Sequence, residues 1–197
     1  MKTLNSDLID YDVLHKALKY FSKHGFTQIE VPWRVSKEAI NVTFNSNESF
    51  KSDDKFLVGS AEQGFLELQL QGKLTSSGQY MSVSPCFRNE KVDYYHQQEF
   101  IKLELIYFSN FEISKDDVQF VVFRQFVVSF ITKKLNVKPS DIIIMQTNDK
   151  NSLYSEDILI NGFEYGSYGV RKFNDIYYIY GTGIALPRFS KIYKTLK

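Results

Sequence analysis

Hydrophobic positions along this chain change period several times, and each change marks an expected element. Over residues 7–24, Leu8, Val13, Leu14, Leu18 and Tyr20/Phe21 recur at helical spacing, which predicts an amphipathic helix stopped by Gly25. FTQIEVPW then alternates and closes on Pro32, as a strand does. Short strands are expected at VTF and KFLVGS, on either side of the polar run NSNESFKSDD. Residues 60–74 open on Ser60 and carry apolar positions 65, 66, 68 and 70, which predicts a short capped helix.

GQYMSVSPCFRNE and QQEFIKLELIYF both read as strands, and the half-dozen residues between them predict a tight antiparallel hairpin. Residues 115–135 begin with acidic SKDD and end with basic KKL, matching a helix dipole over a long helix. Strands follow at DIIIMQ, SEDILING, FEYGSYGV and DIYYIYG, then a C-terminal helix from Pro187 or Arg188. With no repeat, linker or low-complexity run, the pattern predicts one α+β domain, residues 1–197, on a mostly antiparallel sheet.

Composition narrows the classes. The 197 residues are 43% hydrophobic and 16% aromatic, as a globular domain with a real core requires. A formal charge of +1 is a poor footprint for nucleic acid. One cysteine, Cys86, excludes an internal disulfide and a cysteine-based zinc site, and a reducing compartment is the default. The start MKTLNSDLIDYDVLHKALKYF lacks the apolar stretch of a signal peptide, and no run approaches the roughly 20 apolar residues of a membrane span. The expected location is therefore cytoplasmic, with no membrane partner. Only five arginines occur (Arg34, Arg88, Arg124, Arg171 and Arg188) against nineteen lysines. Such a chain keeps Arg where a planar two-pronged donor is needed.

Candidate chemistry concentrates in SPCFRNEKVDYYHQQEFIKLELIYF. On strands, Arg88 and Glu90 share one face, as do His96, Gln98 and Phe100. The hairpin then makes one patch of guanidinium, carboxylate, imidazole and ring. Arg forks a phosphate, Glu accepts from an exocyclic amine, and Phe stacks on a flat base. Read alone, the patch is first of all a solvated strand face.

FRNE…HQQEF…LE resembles motif 2 of the class II aminoacyl-tRNA synthetases, its HxxEF half being most like the aspartyl, asparaginyl and lysyl subgroup. HGFTQIEVPW resembles motif 1, which builds the family's dimer interface, and YGTGIALPRFSKIY resembles motif 3, a Gly-rich strand entering a helix. DILINGFEYGSYGVR holds Asp157 and Glu164 seven apart, with Ser167 and Arg171 beyond, similar to the subgroup's metal-binding strands.

The resemblance implies the family's mostly antiparallel sheet flanked by helices, a homodimer packed around Pro32, and ATP and Mg2+ as cofactors. Arg88 would hold the α-phosphate and the substrate carboxylate. Glu90 would read the adenine amino group, His96 would touch the terminal phosphates, and Phe100 would stack on adenine. Arg188 would cover the other face of the base and pair the γ-phosphate. Asp157 and Glu164 would hold Mg2+, with a surface hairpin as their other reading. Ser60, Glu62, Gln63 and Arg171 would bind the amino acid; for Ser60 and Gln63 a helix capping box is the other reading. His15 and His24 read as helix-surface or packing residues.

Two positions depart from the family pattern: Tyr95 stands where Arg is common, and Pro187 precedes Arg188 where a small residue is usual. No anticodon-binding domain is expected, and with the near-neutral charge this argues against ordinary tRNA charging. The implied activity is ATP- and Mg2+-dependent amino acid activation by a ligase, with pyrophosphate released. The amino acid would be aspartate, asparagine or lysine, and the acceptor ammonia, a protein or a carrier. The alternative is a catalytically inactive regulatory or binding protein of the same fold.

Overall fold

In the computed structural model, which describes residues 9–196, the first helix is α1 (Tyr11–Lys23). The predicted start at residue 7, with Leu8, lies outside the described residues. Asp10 caps α1 by accepting the Val13 N–H at 3.0 Å, and Gly25, at φ +87°, lets the chain turn off as expected. Leu14, Ala17, Tyr20 and Phe21 are its buried stripe. His24 stacks on Phe126 at 4.6 Å and His15 is exposed, so both histidines fit the packing and surface reading.

Of FTQIEVPW only β1 (Thr27–Gln28) is strand, parallel to β5 (Gly78–Phe87). Pro32 lacks the N–H a ladder needs, and the chain passes into β2 (Arg34–Val35) of a separate small sheet. The expected strand at VTF is instead the turn leaving α2 (Lys37–Asn41), where Phe44 N–H donates to Ile40 O at 2.9 Å. Ser36 caps that helix, and the local cap overrides the β-branched signal of Val42 and Thr43. The small sheet is completed by β3 (Lys51–Ser52) and β4 (Lys55–Leu57), in the order β2-β4-β3.

The main sheet continues with β6 (Glu99–Ser109), β7 (Ile142–Thr147), β8 (Tyr154–Ile160), β9 (Phe163–Phe173) and β10 (Ile176–Leu186). Its seven strands run β1-β5-β6-β10-β9-β8-β7, antiparallel except at β1–β5. Helices α3 (Ala61–Leu70), α4 (Val118–Lys134) and α5 (Arg188–Lys194) occur where the sequence placed them. The acidic SKDD precedes α4 instead of filling its first turn.

Alternation along the strands divides the core into two layers. Leu103, Leu105 and Ile179 join Phe21, Phe120, Phe123, Phe130 and Ile192, on the side of α1, α4 and α5. Ile106, Phe108, Tyr178 and Tyr180 join Ile40, Phe56 and Phe65, on the side of α2, α3 and the small sheet. No helix among the described residues is long and apolar enough to cross a membrane.

Candidate active site

On the α3 side of the main sheet lies a cavity of about 380 Å3, lined from β6, β8, β9 and β10, the start of α3 and the 147–149 segment. Of the residues singled out from sequence, Ser60, Glu62, Arg88, Phe100, Asp157, Glu164, Arg171 and Arg188 line it. Gln63, Glu90 and His96 do not.

The β5–β6 connection spans residues 88–98, longer than the tight hairpin expected, so Arg88, Glu90 and His96 sit on a loop instead of on strand faces. The loop is nonetheless held: Arg88 N–H donates to Gln98 O at 2.8 Å, one step past the ladder, and Asp93 N–H donates to His96 O. The Arg88 Nε donates to Gly59 O at 3.0 Å, and its guanidinium carbon lies 5.2 Å from the ring centroids of both Phe44 and Phe100. A cation between two rings, tied by one donor, is already oriented, with its remaining donors left for a ligand. Glu90 Oε1 is buried without a hydrogen-bond partner, an acceptor in want of a donor. His96 instead holds Asp93, Nδ1 to Oδ2 at 2.8 Å; its ring and backbone N–H bring the Asp93 carboxyl down to about 2. Tyr95 packs on Phe163 at 4.6 Å.

At the other end, Arg188 opens α5 and pairs with Glu164 Oε1 at 2.8 Å. Asp157 stands opposite Ser167 in the β8–β9 ladder. Burial raises its carboxyl above the ordinary range, the bond with Ser167 opposes this, and the Glu164 charge adds to the rise. Among the described residues no group of three or more His, Cys, Asp or Glu is placed to hold a metal. Two carboxylates facing one cavity do suit Mg2+, which takes one or two protein carboxylates and completes its shell with water and phosphate oxygens.

The α3 end is denser. Ser60 caps α3 and Gln63 closes the capping box, its Oε1 accepting the Ser60 N–H at 2.9 Å while its Nε2 donates to Thr43. That capping geometry turns Gln63 away from the cavity. The Ser60 hydroxyl donates to Glu104 at 2.6 Å, and Glu104 also pairs with Lys102 at 2.6 Å. Arg171 is 6% exposed. It donates from Nε to Ser152 at 3.1 Å and pairs with both Glu62 and Asp149, its guanidinium 4.0 Å above the Tyr180 ring. Tyr178 donates to Glu62 at 2.9 Å.

Sequence reading did not single out Lys102, Asp149 or Tyr180 as cavity residues, and took Glu104 only as part of the motif pattern. Period two from Phe100 along β6 was a usable signal for Lys102 and Glu104. Asp149 had none, since it sits in a polar connection between strands.

A family model described as tRNA synthetases class II (D, K and N) matches residues 8–142, a stretch that contains Arg88, Glu90 and Phe100 and ends before Asp157. The serine–tRNA ligase of Thermotoga neapolitana is 29% identical over 116 residues, 51% of this chain and 27% of that protein. That of Thermotoga maritima is 29% identical over 117 residues, with the same coverage of 51% and 27%. The chain thus spans little more than a quarter of the curated relatives it matches. Two solved structures of the Desulfitobacterium hafniense pyrrolysyl-tRNA synthetase, one of them its PylSc chain, share the fold over 98% of this chain and 72% of theirs. Their TM-scores are 0.72 and 0.73 at 14% identity.

Proposed function

The chain belongs to the class II tRNA synthetase family, D, K and N type, and from that premise we propose that its cavity joins an amino acid to AMP at the expense of ATP. One observation carries this reading: Arg88, Phe100, Asp157, Glu164 and Arg188, from segments far apart in the chain, converge on one cavity. The same cavity has a second polar end at Ser60, Glu62 and Arg171.

In the proposed step a carboxylate oxygen of the amino acid attacks the α-phosphorus. The bond to the α–β bridging oxygen breaks, and pyrophosphate leaves with the electron pair. No general base is needed, because the nucleophile is already an anion. The protein's part is to align the two anions and to offset their charge. Arg88, oriented between Phe44 and Phe100, holds the α-phosphate beside the substrate carboxylate. Phe100 stacks on the base, and Glu90 Oε1, buried outside the cavity lining, accepts the adenine amino group only when the 88–98 loop rearranges. Arg188 leaves Glu164 for the γ-phosphate, and Asp157 and Glu164 would hold Mg2+. The ion, when bound, offsets phosphate charge. His96, tied to Asp93 on the 88–98 loop, reaches the terminal phosphates only when that loop rearranges.

The test is exchange of labelled pyrophosphate into ATP, run with each common amino acid in turn. Amino-acid-dependent exchange is expected, falling at least about 100-fold in Arg88→Ala, the usual loss for one charge-stabilising donor. Exchange that survives intact in Arg88→Ala would move the site elsewhere. No exchange with any amino acid would favour the regulatory protein.

A further inference from the structure

Reading the cavity as an amino acid seat leaves open which side chains it admits, and Arg171 bears on that choice. A buried guanidinium at the end of such a cavity is the natural partner of a substrate carboxylate. Here that role is filled from within the chain. Its Nη1 pairs with Glu62, its Nη2 with Asp149 and its Nε with Ser152, while the Tyr180 ring covers one face. Two carboxylates thus face one guanidinium. The neighbouring Glu104 brings no cation to their aid, since Lys102 is already paired with it. A carboxylate side chain entering at this end meets two carboxylates whose own Arg, Arg171, is already paired. A donor meets acceptors instead: the Glu62 carboxylate, which takes bonds from Arg171 and Tyr178 at Oε1, lines the cavity together with Asp149 and Glu104.

We infer that the cavity selects an amino acid whose side chain ends in a hydrogen-bond donor, an ammonium or a carboxamide, and excludes one ending in a carboxylate. Asp149 determines that choice by occupying Arg171. Asp149 comes from the β7–β8 connection, where it also accepts the Asn151 N–H at 2.9 Å and the Ser152 hydroxyl at 2.7 Å. That connection positions the carboxylate against Arg171 before any substrate arrives. The inference rests on the amino acid seat proposed above and not on catalysis.

Calorimetric titration of the whole protein with lysine, asparagine, aspartate and glutamate, with a non-hydrolysable ATP analogue present, tests it directly. Lysine or asparagine is expected to bind at least ten-fold tighter than aspartate. Asp149→Asn, which keeps the loop's size and removes one charge, should narrow that ratio at least ten-fold by freeing Arg171, and Asp149→Glu should restore it. Melting temperatures of the variants separate this change of ratio from loss of fold. Aspartate binding as tightly as lysine and asparagine to the unaltered protein overturns the inference. So does binding of none of the four, or an unchanged ratio in folded Asp149→Asn. If the selectivity holds but pyrophosphate exchange is absent, the activation reading fails and this one stands.

Discussion

Glu104 shows how a single buried carboxylate is kept ionised. Burial alone would raise its pKa, but the Lys102 charge and hydrogen bond, then the Ser60 hydroxyl, outweigh that and hold it below its ordinary value. Asp149 is lowered in the same way: burial opposes, and bonds from Asn151, Ser152 and Arg171 win. A folded pKa below the unfolded one gives stability that is complete above the unfolded value and lost as pH falls through the folded one. Asp157 has the opposite sign, its ionisation working against the fold as pH rises. The melting temperature should therefore drop as pH falls below the ordinary carboxylate range, and Glu104→Gln should flatten that drop in a calorimetric series. Lys102→Ala strands the Glu104 charge in the interior and should cost about 3 kcal/mol at neutral pH, read by urea unfolding. Period two along β6 puts Lys102 and Glu104 on the face of Phe100, but that they pair with each other beneath α3 was not legible from the residues alone.

At the scale of elements, capping and turn chemistry were the legible part. Ser60 with Gln63 forms the capping box that residue spacing allowed, so Ser60→Ala should destabilise the protein by about 1–2 kcal/mol in urea unfolding. Asn161 and Gly162, both at positive φ, form the two-residue turn between β8 and β9. The glycines of β9 and β10 have a different reason. A Cβ on Gly183 would lie 2.2 Å from Leu103 Cδ2, and one on Gly166 would lie 2.3 Å from Thr182 Cβ. Gly183→Ala should cost about 1–3 kcal/mol by overpacking, measured in the same way. What periodicity misjudged were the short pieces: VTF, where a cap acting from Ser36 won, and residues 88–98, where a loop is held by its own backbone bonds and by Arg88 on Gly59.

At the scale of the molecule, the motif-1-like segment leads into Pro32 and Trp33, and Trp33 is 53% exposed beside buried Val31. We expect this face to pair two copies, giving a light-scattering mass of twice the 23.0 kDa chain. A particle of 23.0 kDa would remove the motif 1 assignment and leave the ATP site untouched. The sequence by itself determined the long elements, their order, the antiparallel sheet and the family. Periodicity and motif spacing are local or ordered along the chain, and they survive without coordinates. The tertiary structure alone decided which polar residues share a cavity and what each is already bound to. His96 is held by Asp93 and Arg171 by two carboxylates. At Arg171 the cause is electrostatic: a buried charge takes the nearest opposite partner in space. For Arg171 those partners are Glu62 and Asp149, which its place in the sequence does not reveal.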